Sequence, residues 1–328
     1  TDAASPVLPT DAYSINDLVY PVPPMNENVE GEDSPGIISV SKNLSVGFRS
    51  MAVKNSLLKS TDSWKKANGV ELDVTKSGAI IVSGSWLKCN QVSKYCTKYV
   101  KILSGIFDSF DKAIKQSNKE IKHRNISPSD ENATADVMRK NSIKIMIYHP
   151  RVKMSGVMQI EAMLKQNGFI GASEEPTSKT ICTLCGVGKD KHTKSNLTAK
   201  SIPAHEYSPA RLIMAHSDFD KTIMDNYINM FNETSNAYGE YIKCLVGSKI
   251  IRQSYDIKCV QLFYIVSLPV SIPELIQILG RIARMDSHKD LPFDKRSVDI
   301  NMLLSTMPNE MKNGMNNEMK NGMNNEMN

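Results

Sequence analysis

The feature that most limits the fold is an alternation, from Ile143 to Leu304, of short apolar runs with longer amphipathic stretches. Ile143–Tyr148, Arg211–Ala215, Ile242–Val246, Val260–Ser267 and Val298–Leu304 have the length and β-branched content of strands. Ser155–Gln166 sets Val157, Ile160, Met163 and Leu164 on one helical face and stops at Gly168; Asp218–Phe231 reads as a second helix. Strands separated by helices need crossover connections, which predicts an α/β fold: a mostly parallel sheet with helices on both faces. Ligands of such sheets bind beyond the carboxyl ends of the strands, so the loops after these strands are where a site is expected.

A further helix follows the fourth strand. Ser271-x-x-Glu274 is a capping-box pattern, with Pro273 in the first turn. Projected at about 100° per residue, Gln277, Gly280, Arg281 and Arg284 share an arc of roughly 100°; Leu275, Ile276, Ile278, Leu279, Ile282 and Ala283 fill the remainder. A helix so apolar is expected to be buried, and two buried guanidiniums then need an anionic partner to offset their desolvation. Gly280 leaves room beside them, and planar, permanently charged forks suit phosphate. The plainer alternative is a surface or interface helix whose arginines form salt bridges.

Around this region the chain divides into four stretches. Residues 1–94 are expected to be an extended linker region, proline-rich through residue 35, with Ala79–Val82 a possible strand ended by Trp86 as an anchor. Residues 95–140 form a helical connector: Tyr95, Tyr99, Ile102, Leu103, Ile106 and Phe107 recur at helical spacing from about Lys94 to Asn118, and 119–140 read as a polar loop. Residues 141–306 hold the sheet, with an insertion at 177–208. The tail, 307–328, repeats NEMKNGMN and is expected to be disordered.

A chain of 328 residues, 41% hydrophobic and 23% charged, can build a sizeable core. Its net charge of +5 permits a nucleic-acid partner without requiring one. Six scattered cysteines fit a reducing compartment rather than a disulfide scaffold. The start, Thr1 to Pro6, lacks the basic and apolar regions of a signal peptide, and its first residue suggests a fragment or a processed product. The most apolar run, Cys259–Leu279, is broken by Gln261, Ser267, Pro269, Ser271, Pro273 and Glu274, so no membrane span is expected.

Cys182-x-x-Cys185 suits two thiolates on a tight turn closed by Gly186. His192 and His205 follow within the same insertion and could complete a tetrahedral Zn²⁺ site. The alternative is a flexible loop with an incidental cysteine pair and solvated histidines. Lys189, Lys191, Lys194 and Lys200 make the insertion basic, as a phosphate backbone would require or as a solvated face commonly is.

The pattern Q-x-x-G-R-x-x-R of Gln277–Arg284 resembles motif VI of superfamily 2 helicases. Gly247-Ser248 and Ser254-Tyr255-Asp256 fall where that family carries motif V, and Ile145–Pro150 followed by Ser155-Gly156 is similar to the opening of a second motor lobe. Gly280-Arg281, Arg284, Ser287-His288, Leu291-Pro292 and Arg296 narrow the resemblance to helicases of large nucleocytoplasmic DNA viruses, of the poxvirus early-transcription-factor small-subunit type. The resemblance implies a RecA-like C-terminal lobe. In it Arg281 and Arg284 would reach ATP–Mg²⁺ held by an N-terminal RecA-like lobe, with Gln277 positioning them or the attacking water, Gly280 lining the nucleotide and Asp256 orienting a partner across the cleft. Gly247 and Ser248 would meet nucleic acid, with DNA the expected type, although Ser248 could equally be a helix N-cap. A viral RNA polymerase would be a further partner, and the host-cell viral factory or the virion the location.

The chain lacks the first lobe's chemistry. Gly186-Val187-Gly188-Lys189-Asp190 has neither the upstream glycine nor the Ser or Thr of a phosphate loop, and Asp130-Glu131 follows no strand. Alone, it is expected not to hydrolyse ATP. Two competing readings remain: a non-catalytic DNA- or polymerase-binding module of a viral early-transcription complex, and a zinc-stapled interaction protein of unrelated fold.

Overall fold

The computed structural model describes residues 59–74, 80–153, 156–269, 271–284 and 286–304, and in it the expected alternation becomes one parallel sheet. In chain order the elements are α1 (Asp62–Asn68), β1 (Glu71–Val74), β2 (Ile80–Ser83), α2 (Thr97–His123), α3 (Glu131–Asn141), β3 (Lys144–Tyr148), α4 (Val157–Gln166), β4 (Ile170–Gly171), α5 (Lys194–Ala199), β5 (Arg211–Ala215), α6 (Lys221–Asn232), β6 (Cys244–Gly247), α7 (Lys249–Ser254), β7 (Val260–Ile265), α8 (Ile272–Ile282) and β8 (Asp299–Met302). β1 and β2 form an antiparallel pair; the other six strands lie in the order β4-β5-β6-β3-β7-β8, all parallel.

β3 sits between two strands and beneath helices on either side, so all five of its residues are buried. Alternation then divides the sheet between two cores. Ile145 and Ile147 join Leu212, Met214, Val246 and Tyr264 against Tyr99, Ile102 and Ile106 of α2 and Ile160 and Met163 of α4. Met146 and Tyr148 join Ile213, Leu245 and Phe263 against Met224 and Ile228 of α6, Ile251 of α7, and Ile278 and Ile282 of α8. Right-handed crossovers account for this division: the chain steps one way along the sheet from β3 to β4 through α4, and the other way through α6, α7 and α8.

Three expectations need correction. Residues 119–140 are not a loop: α2 continues to His123, and α3 packs beside it with Thr134, Val137 and Met138 buried. The polar sequence of α3 hides a narrow stripe at i, i+3 and i+4, which is enough for a helix seated between α2 and the 177–208 insertion. Residues 59–94 are not an extended linker. They carry α1 and the β1–β2 hairpin, and Trp86 and Leu87 enter the core beside α4, where Gln159 Nε2 donates to Val82 O (2.6 Å). The third correction is that α8 is not buried. Ile278 and Ile282 are covered, but Ile272 and Ile276 are 73% and 62% exposed, because only one side of α8 meets the sheet. Burying two isoleucines contributes roughly 1.5–3 kcal/mol each, sufficient to seat the helix on the sheet without covering its far side.

No helix among the described residues is long and apolar enough to cross a membrane. The proline-rich start and the NEMKNGMN tail lie outside the described residues.

Candidate functional site

The arginines are delivered by the direction of α8. Ser271 caps its start, the hydroxyl accepting from Glu274 N (3.4 Å), and the helix runs back beside β7 toward the strand's amino end. There Ile257 N donates to Arg281 O (3.1 Å), and beyond the helix Cys259 N donates to Ser287 O (2.8 Å). Arg284 lies two residues past the last helical residue; its Nε donates to Gly280 O (3.0 Å), satisfying a carbonyl the helix end leaves open.

Both guanidiniums converge on one oxygen of Asp256: Arg284 Nη1 at 2.5 Å and Arg281 Nη1 at 3.4 Å from Oδ1. Asp256 is held from the opposite side by α6, where Asn232 Nδ2 donates to Asp256 O (2.7 Å) and Asn232 Oδ1 accepts from Lys258 N (2.9 Å). The cluster is partly open to solvent, with the Arg284 and Asp256 side chains 47% and 52% exposed and the Arg281 side chain 24% exposed. Gln277 is also exposed, and a Cβ placed on Gly280 would meet nothing within 4 Å, so the space beside the arginines is free within this lobe. Arg281, Arg284, Asp256, Gly280 and Gln277 thus share one open surface. That surface lies at the amino end of β7, not in the crevice beyond the carboxyl ends where the sheet alone directed attention.

Gly247 and Ser248 stand at the opposite end, where β6 exits into α7. Ser248 occupies the N-cap position but its hydroxyl makes no cap bond; it is buried, and its N–H donates to Ala215 O (2.9 Å). The same edge carries three polar groups that sequence reading did not single out as site residues: His149 after β3, His216 after β5 and Ser267 after β7, all buried. Each is a polar residue placed directly after an apolar run, which is the signal that could have marked them. Burial pushes the His149 imidazole down to about 3, and its Nδ1 accepts from Arg151 N (3.0 Å), so it stands neutral at neutral pH.

The 177–208 insertion brings Cys182, Cys185, His192 and His205 together, with one ligating atom of each lying within 4.8 Å of the others. Burial opposes ionisation of Cys182, but hydrogen bonds with Cys185, His192 and His205 outweigh it and hold the thiol well below its usual range. The shared hydrogen bond with Cys182, then burial, pushes the Cys185 thiol up. One acidified thiol beside two imidazoles is a donor set able to hold a metal ion. Among the lysines of the insertion, Lys194 pairs with Glu131 of α3.

The two look-alike motifs have other roles. Gly186, at φ +69°, is the turn that closes the cysteine pair, and a Cβ there would press to 2.8 Å from the Phe110 ring. Asp130 is the N-cap of α3, its carboxylate accepting from Ala133 N (3.0 Å). Ser287 and His288 are buried, with His288 Nε2 donating to Val260 O (2.7 Å), so this part of the motif closes the turn beneath β7.

Residues 190–286 match the helicase conserved C-terminal domain. Over 311 residues the chain is 28% identical to an early transcription factor large subunit homolog of African swine fever virus (strain Badajoz 1971 Vero-adapted), covering 93% of this chain and 23% of that protein. It is 25% identical over 177 residues to the early transcription factor 70 kDa subunit of Melanoplus sanguinipes entomopoxvirus, covering 53% and 24%. A nucleoside triphosphatase I of Heliothis armigera entomopoxvirus is 34% identical over 85 residues, covering 26% and 13%. The chain therefore spans about a quarter or less of the length of these relatives.

Proposed function

We propose that this chain, which carries the C-terminal RecA-like lobe of a superfamily 2 helicase, is half of an ATP-driven motor that acts on nucleic acid, with DNA as the substrate and viral transcription as the setting. In this reading Arg281 and Arg284 are arginine fingers for ATP–Mg²⁺ held by a preceding N-terminal RecA-like lobe. Their charge opposes the negative charge that spreads over the γ-phosphoryl oxygens during transfer. Asp256 gathers the two guanidiniums while no phosphate is present, Gly280 leaves room for the nucleotide, and Gln277 positions the attacking water or the fingers. ATP draws the lobes together and hydrolysis releases them, while Gly247 and Ser248, at the other end of the sheet, belong to the surface that tracks the strand. The complete two-lobe protein is the helicase and ATPase; this chain alone lacks the phosphate loop and is inactive.

The observation that carries the reading is the placement of the arginines. Two permanently charged groups, Arg284 exposed and Arg281 half-buried, share one carboxylate oxygen and lie away from the carboxyl edge of their own sheet. A site serving a ligand of this sheet would lie at that edge; this one faces outward, toward a ligand held by another domain. Exposed Ile272 and Ile276 on the same helix supply the apolar part of a lobe–lobe contact. In the longer protein, Arg284→Ala is expected to abolish ATP turnover while largely sparing nucleic-acid binding. Unchanged turnover overturns the assignment.

The relatives named as early transcription factors favour a second reading, in which the lobe is a non-catalytic surface for promoter DNA or for a viral RNA polymerase. Either reading fits a location in the viral factory or the virion. An intact phosphate loop in the sequence preceding Thr1, with ATPase activity in the longer protein, decides for the motor.

A further inference from the structure

We infer that Cys182, Cys185, His192 and His205 form a closed, structural Zn²⁺ centre that fixes the shape in which the 177–208 insertion packs on the α2–α3 pair. The inference does not depend on the arginines or on ATP, since the cluster stands at the amino ends of β5 and β6 on other elements of the lobe.

The geometry is that of a metal site rather than a chance meeting of polar groups. Tetrahedral zinc with bonds of about 2.3 Å to sulfur and about 2.0–2.1 Å to nitrogen sets ligand atoms roughly 3.5 Å apart for sulfur–nitrogen and roughly 3.3 Å for nitrogen–nitrogen. Cys182 Sγ lies 3.5 Å from His205 Nε2, and His192 Nε2 lies 3.1 Å from His205 Nε2. The outer shell sets the tautomer. His205 Nδ1 donates to Pro203 O (2.7 Å), which leaves the Nε2 lone pair directed at the cluster, as in most zinc-bound histidines. The two cysteines flank a tight turn in which Gly186 N donates to Cys182 O (2.9 Å) and Cys182 N to Val187 O (2.8 Å), so both sulfurs project to one side.

The insertion also needs a staple. Its regular structure among the described residues is a 3-10 turn at Lys189–Lys191, the six-residue α5 and two isolated bridges. Its apolar cluster is small: Cys182, Leu184, Cys185, Leu197 and Ile202 with Met138 of α3. A long connection with so little core keeps a fixed shape only if something else holds it. What it holds is specific: Asn118 Nδ2 of α2 donates to Ser201 O (2.7 Å), Thr134 Oγ1 of α3 to Ala204 O (2.7 Å), and Thr183 Oγ1 to Gly239 O (2.8 Å) ahead of β6. Four protein ligands leave no open coordination position, so the centre is structural and not hydrolytic.

The test is metal analysis of the full chain, purified without chelator or histidine tag from cells supplied with zinc. About one Zn²⁺ per chain is expected, with thiolate-to-cobalt charge-transfer bands after exchange to Co²⁺. Cys182→Ser and the more exposed His192→Ala should both lower zinc to background, while Arg284→Ala leaves it unchanged. Should Cys182→Ser fail to fold, wild-type chain treated with a chelator replaces it: protease should then cut within 177–208, and added Zn²⁺ should restore protection. Folded wild-type chain carrying less than about a tenth of an equivalent of zinc, or a Co²⁺ spectrum without thiolate bands, overturns the inference. Because neither readout involves ATP, failure here leaves the motor assignment standing, and the reverse holds for Arg284→Ala.

Discussion

The cysteine–histidine cluster and the arginine–aspartate cluster differ in one physical respect: whether the chain itself supplies everything around the charged groups. At the first, the two cysteines and His205 are buried and the donor atoms converge on a point among them. At the second, two guanidiniums and one carboxylate sit partly exposed beside a glycine whose Cβ side faces open space. Convergence under burial marks a site that closes within one chain. Convergence under exposure adds little to folding, because charges facing water gain little from each other, and under the proposed function it is one side of a contact.

The contrast is sharpest when each cluster is broken in turn. Removing a zinc ligand should destabilise the insertion by several kcal/mol, since the metal's binding free energy is also folding free energy and amounts to about 10 kcal/mol or more in small zinc domains. Thermal unfolding should show a large fall in Tm, with early exposure of 177–208 to protease. Arg284→Ala should move the other way: stability within about 1 kcal/mol of wild type, but ATP turnover in the longer protein lower by about 10³-fold or more. A large loss of stability from Arg284→Ala would erase the distinction between the two clusters.

Lys144 offers an intermediate case, a charge that is buried but has few partners. It opens β3, its Nζ donating to Phe231 O and lying 3.9 Å from the Phe231 ring centroid. Burial pushes its ammonium down to about 7, against 10.5 when unfolded. Between those values the unfolded chain carries the proton and the folded chain does not, so stability should rise with pH across that window and be flat below about 7. The slope from this group is at most about 1.4 kcal/mol per pH unit. Urea unfolding at pH 7, 8 and 9 should show Lys144→Met losing that part of the slope; equal slopes would mean that the carbonyl and ring keep the ammonium charged.

Local pattern and covering partner were not equally legible in the sequence. Arg211–Ala215 could be read to the residue, and the Ser271-x-x-Glu274 box marked the start of α8, because strand runs and caps are written in adjacent residues. The cysteine–histidine cluster was legible as residues, since Cys-x-x-Cys with a following glycine limits its own turn. The helical α3 was not, because its stripe of Thr134, Val137 and Met138 is buried only once α2 and the distant 177–208 insertion cover it. Nor was the exposure of α8: periodicity counts apolar residues but does not say which chain segment covers them. The sheet rule pointed to Gly247 and Ser248 but not to the arginines. The rule that ligands lie beyond the carboxyl ends applies to a ligand of the sheet itself, whereas a returning helix such as α8 carries its last residues to the opposite edge.

The smallest effect expected on the fold, and the finest division of the arginine cluster, comes from Asp256→Asn. The substitution keeps the side chain's shape and removes the charge both arginines share. Because Asp256 and Arg284 are about half exposed, the ion pair contributes at most about 0.5 kcal/mol, and Tm should hold within about 2 °C. If the guanidiniums are gathered there for a phosphate supplied by another lobe, losing their common anchor loosens their aim, and kcat for ATP in the longer protein should fall by about 10-fold with little change in KM. A surface helix whose arginines merely pair with a neighbouring acid predicts the same small change in stability and an unaltered kcat. With stability nearly unmoved on either reading, kcat alone separates a half-site from a salt bridge at the same three residues.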